Sequence, residues 1–311
     1  MIKKIAVIGT GVIGVGWIIR FLAHNKKVTA YDLNFKLEKK LKIEVKRAWP
    51  FVSKLFNKKK LNLKNLNFVT SLEKAVENAD FVQECASENY SLKIKLMRKI
   101  GNYSKKNTII SSSSSGLLPT KIYSKCKNSS RGLIGHPFNP VYLCPGVEIV
   151  PGKNTKKKFL RLAENFYKSI SMNPIMVKKE LPGYLSDRLQ EALWREALHI
   201  VNEGYASTKD LDRAIEDGPG MRWSLMGTFL TFHLAGGKSG MKHMLKQFGP
   251  ALKLPWTKLK APKLSKKLSS RVISGTRQQS KGKSVATISK IRDDYLVNLQ
   301  KLRKKYENKL R

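Results

Sequence analysis

The glycine-rich turn near the start of the chain constrains the fold more than any other feature. The apolar residues Ile5 to Ile8 precede it, the segment Gly9-Thr10-Gly11-Val12-Ile13-Gly14 forms it, and an apolar stretch from Val12 to His24 follows. A short, wholly apolar run is typical of a strand that is buried on both faces. The GxGxxG spacing after such a strand predicts a tight turn into a helix, as in a nucleotide-binding βαβ unit.

An acidic residue at the end of the next strand specifies the nucleotide. Asp32 follows the predicted strand Val28 to Tyr31. At this position a carboxylate accepts hydrogen bonds from the adenosine ribose and repels a 2′-phosphate, so we expect NAD rather than NADP. Free N–H groups at the start of the helix favour the pyrophosphate. The predicted cofactor-binding residues here are Gly9, Thr10, Gly11, Val12, Ile13, Gly14 and Asp32.

Predicted strands and helices alternate through the first half of the chain. In the second half, the apolar residues recur only at the spacing of helices. The predicted strands, which alternate with helices, are 5–8, 28–31, 67–70, 80–83, 108–111, 132–135 and 147–150. This pattern predicts an α/β protein with an N-terminal Rossmann-type, doubly wound parallel sheet and an all-helical C-terminal domain. We place the domain boundary between residues 181 and 182, giving domains 1–181 and 182–311, and read 261–282 as a polar linker.

Composition excludes several classes of protein. The net charge of +39 invites a nucleic-acid hypothesis, but the basic residues are mostly lysines spread along the chain without a nucleic-acid module. Nonspecific attraction to polyanions at low salt would still follow. No run approaches the roughly 18 apolar residues of a membrane span, so we expect a cytoplasmic protein. Three cysteines without CxxC spacing argue against a disulfide framework or a metal site.

Oxidation of an alcohol needs a base for the hydroxyl proton, and histidine suits this role. Among the five histidines, only His136 comes directly after a predicted strand end, in the segment Gly135-His136-Pro137-Phe138-Asn139-Pro140. Two prolines restrict this loop, which favours a positioned side chain. On the residues alone, His136 is equally well a catalytic base or a buried structural histidine.

The segment HPFNP, followed by Glu148 in Pro145-Gly146-Val147-Glu148-Ile149-Val150, resembles the His–Glu pair of the 3-hydroxyacyl-CoA dehydrogenase superfamily. The resemblance covers nearly the whole chain. It implies that His136 is the general base, that Glu148 orients its imidazole, and that Ser115 lies near the substrate oxygen. It also implies that Glu88 and Lys93 contact the ribose region of the cofactor. Without the resemblance, Ser115 would belong to a flexible serine loop, and Glu88 and Lys93 would be surface charges.

The sequence departs from that superfamily at one candidate catalytic position. Asp187-Arg188 stands where the acyl-CoA enzymes have Asn-Arg. An asparagine can donate a hydrogen bond to a substrate carbonyl, whereas an ionised aspartate cannot. The substrate group near Asp187 is therefore expected to differ, and a cationic group would suit it.

Segments of the second half resemble the branch of this superfamily that oxidises L-carnitine. They are 191–197, 220–223, 227–229, 233–237, 247–252 and 255–258. The resemblance implies L-carnitine or a related short 3-hydroxy acid as substrate, and a homodimer. Aromatic rings could hold the trimethylammonium group, and arginines could hold the carboxylate. The candidates are Tyr142, Trp194, Trp223, Phe229, Phe232, Arg188, Arg195 and Arg222.

Two alternatives remain open from the sequence. One is another 3-hydroxy acid dehydrogenase of the same superfamily, acting on L-gulonate or on a 3-hydroxyacyl-CoA. The other is a non-catalytic binding protein that has kept the Rossmann fold. The presence of both His136 and Glu148 disfavours the second alternative.

Overall fold

A computed structural model describes residues 2–58, 60–225, 227–250, 257, 260, 263, 265–279, 281 and 283–310. Contacts divide the chain into two compact units, Met1–Arg188 and Leu189–Arg311. The division lies a few residues after the expected boundary at 181, inside a helix that begins at Ser186.

The first unit is built on one sheet, which has eight strands within the described residues. They are β1 (Lys4–Ile8), β2 (Lys27–Tyr31), β3 (Leu66–Val69), β4 (Phe81–Glu84), β5 (Ile109–Ser112), β6 (Gly132–Pro137), β7 (Gly146–Pro151) and β8 (Asn173–Met176). Their order across the sheet is β3-β2-β1-β4-β5-β6-β7-β8. Successive strands are added toward one edge of the sheet from β1 to β3 and toward the other edge from β4 onward. Doubly wound folds bind their ligands at the carboxyl ends of the two strands where this change occurs, here β1 and β4.

The helices of this unit cover the sheet. They are α1 (Val12–Ala23), α2 (Leu37–Phe56), α3 (Leu72–Val76), α4 (Tyr90–Tyr103), α5 (Pro119–Ile122) and α6 (Lys157–Ser169). Helix α1 is buried along most of its length, because Trp17, Ile18, Ile19 and Phe21 are fully enclosed. That burial fixes the glycine turn before α1 against the carboxyl ends of β1 and β4. The predicted doubly wound α/β fold is confirmed.

One strand pair differs from the expected parallel arrangement. Strands β6 and β7 are antiparallel, with His136 directly opposite Glu148. Their connection, residues 138–145, is too short for a parallel crossover, which needs a dozen or more residues. The next strand, β8, returns to a parallel pairing with β7 through α6. Neither α6 nor β8 was expected from the sequence.

The second unit is helical throughout its described residues. Helix α7 (Ser186–Glu203) leads into it, followed by α8 (Thr208–Glu216), α9 (Gly220–Trp223), α10 (Thr228–Ala235), α11 (Gly240–Phe248), α12 (Lys266–Gln279) and α13 (Val285–Leu310). The linker expected at 261–282 was wrong in part, because α12 occupies most of it. None of the described helices is long and apolar enough to cross a membrane. Residues 251–256 and 258, which carried part of the resemblance, lie outside the described residues.

Candidate active site

The glycine turn has the geometry that close approach of a nucleotide requires. Gly9 has a φ of 100°, which favours glycine. A Cβ atom on Gly14 would lie 1.9 Å from the carbonyl oxygen of Gly9, so only glycine lets α1 begin this close to β1. A Cβ atom on Gly11 would meet no described heavy atom within 4 Å. The space above Gly11 is therefore open to a ligand.

The start of α1 fits a pyrophosphate. Gly11 is the N-cap residue in an extended conformation, and within the described residues no side chain caps this helix and no acidic residue occupies its first turn. The first N–H groups of a helix have no intrahelical acceptor and carry partial positive charge. The open space above Gly11 and these donors are what the phosphates of a dinucleotide need.

Asp32 connects the end of β2 to the glycine turn. Its Oδ2 accepts hydrogen bonds from the Thr10 backbone nitrogen at 2.9 Å and from the Thr10 hydroxyl at 2.8 Å. Its Oδ1 accepts one from the Leu33 backbone nitrogen at 2.8 Å. Two carboxylate oxygens can accept about four hydrogen bonds, so this fixed side chain keeps capacity for a ribose hydroxyl.

The two candidate catalytic residues of the β6–β7 pair are in direct contact. His136 Nδ1 lies 2.8 Å from Glu148 Oε2, and both residues are buried. The second oxygen, Oε1, accepts hydrogen bonds from the backbone nitrogens of Leu185 and Ser186, each at 3.0 Å, at the start of α7. An imidazole whose Nδ1 donates to a carboxylate carries its free lone pair on Nε2.

The environment keeps the Glu148 carboxyl ionised. Burial acts to raise its pKa, but the hydrogen bonds from His136, Ser186 and Leu185 outweigh burial and hold the pKa below its usual value. A fixed negative charge therefore faces Nδ1 of His136. A carboxylate in this position can orient the imidazole and offset a positive charge on the ring.

A second carboxylate lies on the other side of the ring. Asp187 Oδ2 is 3.7 Å from His136 Nε2, and 35% of the Asp187 side chain is exposed, against 7% for His136. The helix start that binds Glu148 thus also brings Asp187 to the opposite nitrogen. The structure places three of the four candidate catalytic residues, His136, Glu148 and Asp187, in one cluster.

The first four serines of the run before Gly116 make side-chain hydrogen bonds, which the interpretation as a flexible loop does not predict. Ser111 bonds to Tyr167, Ser112 donates to Glu84, Ser113 accepts from Trp17 and Gln83, and Ser114 donates to Glu88 at 2.6 Å. Ser115, the fourth candidate, is exposed at the end of this run. Its backbone nitrogen donates to Glu88 Oε1 at 2.9 Å.

Lys93 is not the surface charge that its residue type suggests. Its side chain is 1% exposed, and its Nζ lies 2.8 Å from the buried Glu84 carboxylate and 3.0 Å from the Ala86 carbonyl oxygen. Glu88 Oε2 is farther away, at 3.6 Å. Glu88 itself is half-exposed and binds the backbone of Ser115 and Gly116. Here Lys93 stabilises the turn after β4, and Glu88 stabilises the serine segment.

Arg20 is a further residue of this site that the sequence analysis missed. It is fully buried in α1, and its guanidinium donates to the carbonyl oxygens of Val141 at 2.7 Å and Cys144 at 3.1 Å. Burial lowers its pKa to about 9. The nucleotide helix is thereby bonded to the loop that follows His136. The sequence signal for a buried, hydrogen-bonded Arg20 was the presence of an arginine inside an otherwise apolar helix segment.

The candidate substrate-binding aromatics lie in different surroundings. Tyr142 is 6% exposed, so it belongs to the core of the first unit and not to an open binding surface. The other four candidates belong to the second unit, and large parts of their side chains are exposed: Trp194, Trp223, Phe229 and Phe232. In the first unit, the half-buried Phe138 has its ring centroid 5.5 Å from that of His136.

Comparison with known proteins identifies the family of this chain. Residues 4–181 match the family model "3-hydroxyacyl-CoA dehydrogenase, NAD binding domain", and residues 183–275 match "3-hydroxyacyl-CoA dehydrogenase, C-terminal domain". The L-carnitine dehydrogenase of Bacillus cereus is 46% identical over 305 residues, covering 98% of this chain and 94% of that protein. The L-carnitine dehydrogenase of Pseudomonas putida is 49% identical, covering 95% and 92%.

A solved structure is similar over the whole chain. The NAD-dependent 5-dehydrogenase of 5-formyl-3-hydroxy-2-methylpyridine 4-carboxylic acid superposes with a TM-score of 0.83 at 26% identity. The match covers 98% of this chain and 99% of that protein. The folds of the two proteins therefore agree in both units.

The fold, the nucleotide turn and these similarities define an NAD-dependent dehydrogenase that acts on a secondary alcohol. The chain belongs to the 3-hydroxyacyl-CoA dehydrogenase family. Within that family, its similarity to proteins named L-carnitine dehydrogenase extends over almost its full length.

Proposed function

We propose that this protein oxidises L-carnitine to 3-dehydrocarnitine, with His136 as the general base. One observation carries the base assignment: His136 Nδ1 is engaged by Glu148 at 2.8 Å, which leaves Nε2 to accept a proton. The substrate assignment is supported by the near full-length similarity to L-carnitine dehydrogenases.

The proposed reaction breaks two bonds at the carbinol group. His136 Nε2 takes the hydroxyl proton, and the carbon–oxygen double bond forms as the hydride leaves. Bound NAD supplies the acceptor for that hydride. Glu148 is a positioning residue, because it holds the imidazole in the tautomer that can accept the proton and stabilises the resulting charge. Ser115 is proposed to donate its hydroxyl hydrogen to the substrate oxygen.

The nucleotide residues have distinct proposed roles. Gly11, Val12 and Ile13 present backbone N–H groups to the pyrophosphate, while Gly9 and Gly14 shape the turn. Asp32, held by Thr10, accepts from the adenosine ribose. Glu88 and Lys93 are proposed to support the ribose region through the turn that they stabilise.

The experiment is a spectrophotometric assay for NADH with L-carnitine, L-gulonate and 3-hydroxybutyryl-CoA. We expect turnover of L-carnitine with NAD to exceed that of the other two substrates. Absence of L-carnitine turnover would contradict the substrate assignment. His136→Ala should abolish turnover while NADH still binds, and retained turnover would contradict the base assignment.

We also propose that the protein forms a homodimer through its helical unit. That unit exposes large apolar side chains, including Phe229 at 84% and Tyr205 at 79%. Exposed apolar surface of this kind is typical of protein interfaces. Light scattering coupled to size-exclusion chromatography should give twice the chain mass of 35.3 kDa. A monomer at micromolar concentration would contradict the proposal.

A further inference from the structure

The carboxylate of Asp187 has no role in the proton transfer described above, although it lies beside the reacting nitrogen. His136 Nε2 is 3.7 Å from Asp187 Oδ2, and Glu148 already serves the opposite nitrogen. A hydroxyl group that donates to Nε2 must therefore lie close to Asp187. Whatever is bonded next to the carbinol carbon is also close to this carboxylate.

In L-carnitine, a single methylene separates the carbinol carbon from the trimethylammonium nitrogen. The cation therefore cannot be far from a hydroxyl group placed at Nε2. A quaternary ammonium group has no N–H to donate, so a protein recognises it through negative charge and aromatic faces. Asp187 provides negative charge at this position, and 35% of its side chain is exposed.

We infer that Asp187 recognises the trimethylammonium group and thereby selects zwitterionic 3-hydroxy acids over analogues that lack a cationic group. The inference rests on the proposed function. Charge balance supports it: once His136 has taken the proton, an imidazolium and the ammonium group face the two carboxylates of Glu148 and Asp187. Asp187 is thus a specificity-determining residue that contacts the substrate.

A competing role for Asp187 would act only through His136, as a second carboxylate beside the imidazole. The two roles predict different substrate dependence. A contact with the ammonium group affects only substrates that carry it, whereas an effect on the base affects every substrate equally. A matched pair of substrates therefore separates them: L-carnitine, and the isostere that keeps its hydroxyl and carboxylate groups but has an uncharged tert-butyl group in place of trimethylammonium.

The first experiment compares kcat/KM for both substrates in the wild type, Asp187→Asn and Asp187→Glu. We expect Asp187→Asn to lower kcat/KM for L-carnitine by at least about tenfold, chiefly through KM, and to change that for the isostere by less than about threefold. Asp187→Glu, which keeps the charge, should recover part of the loss. Equal losses for both substrates, or no loss for either, would overturn the inference.

The second experiment does not depend on turnover. Calorimetry in the presence of NAD measures binding of γ-butyrobetaine, which keeps the ammonium and carboxylate groups of carnitine but lacks the hydroxyl. We expect Asp187→Asn to weaken this binding by about tenfold. Unchanged binding in the variant, or no binding to the wild type, would overturn the inference even if L-carnitine is turned over.

Glu164→Gln is the matched control. It removes the same unit of charge from the same compact unit, in a surface pair with Lys168 on α6. We expect this variant to bind γ-butyrobetaine and oxidise L-carnitine like the wild type. If wild-type protein binds γ-butyrobetaine through Asp187 but does not oxidise L-carnitine, the proposed function fails and the inference about Asp187 stands.

Discussion

His136 and Glu148 face each other across the antiparallel pair β6–β7, with Nδ1 of the imidazole 2.8 Å from Oε2 of the carboxylate. The same carboxylate accepts two backbone hydrogen bonds at the start of α7. One buried side chain thus fixes the orientation of the His136 imidazole and the start of the helix that carries Asp187.

Replacing Glu148 with glutamine should impair the chemical step. If the amide NH2 faces Nδ1, it favours the tautomer with the proton on Nε2, which cannot accept the substrate proton. We expect kcat to fall by about 100- to 10,000-fold, as when such a carboxylate is lost from other His–carboxylate pairs. Steady-state kinetics measures this change, and fluorescence titration with NADH should give an unchanged Kd. A kcat within threefold of wild type would contradict the role of Glu148.

The stability contributed by Glu148 should depend on pH. Its folded-state pKa lies below the ordinary value of 4.5. A group with a lowered folded-state pKa contributes stability that is fully present above the unfolded-state pKa and is lost as the pH falls through the folded-state pKa. The wild type should therefore lose more free energy of unfolding than Glu148→Gln between pH 6 and acidic pH.

Urea titrations of the wild type and Glu148→Gln, at a series of pH values from 6 downward, measure that difference. The comparison cancels the contributions of the other carboxyl groups, since both proteins share them. If both proteins lose the same free energy of unfolding, the hydrogen bonds to Glu148 do not lower its folded-state pKa, and the expectation is contradicted.

Much of the fold could be predicted because its signals are local. The apolar run before Gly9 and the spacing of the glycines determine β1, the turn and α1 with few alternatives. The direction of β7 was predicted wrongly because apolar alternation does not encode strand direction. The short connection of residues 138–145 contained the missing information, since it can only support an antiparallel pair.

The buried polar contacts of the site could not be predicted, because they join residues that are distant in sequence. On the residues alone Lys93 would be a surface charge, since lysine is seldom buried without a partner. Its partner, Glu84, is the last residue of β4 and lies one position beyond the predicted strand 80–83. The partners of the serine run include Trp17 and Tyr167, and no local pattern indicates those pairings.

Lys93 should be needed for folding stability more than for direct contact with the cofactor. Lys93→Met leaves the buried Glu84 carboxylate without its cation, and we expect the free energy of unfolding to fall by about 3–5 kcal/mol. The double variant Glu84→Gln/Lys93→Met removes both charges and should recover part of this loss. Urea unfolding of the three proteins tests the expectation.

Binding of NADH to the double variant then separates the two roles of Lys93. If the lysine acts by stabilising the turn after β4, the Kd for NADH should lie within a few-fold of wild type. A large loss of affinity in a double variant of near wild-type stability would favour direct contact with the ribose region.

The same added methyl group should affect folding stability at one glycine of the nucleotide turn and NADH affinity at another. At Gly14 a Cβ atom would lie 1.9 Å from the Gly9 carbonyl oxygen, so Gly14→Ala must displace α1 from β1. At Gly11 the Cβ atom meets open space, so Gly11→Ala should change the free energy of unfolding by less than about 1 kcal/mol. The methyl would instead occupy the space that the pyrophosphate needs, and NADH affinity should fall at least about tenfold. Thermal unfolding and NADH titration of both variants measure the two effects. A stable Gly11→Ala protein with wild-type NADH affinity would show that the pyrophosphate does not bind at this turn.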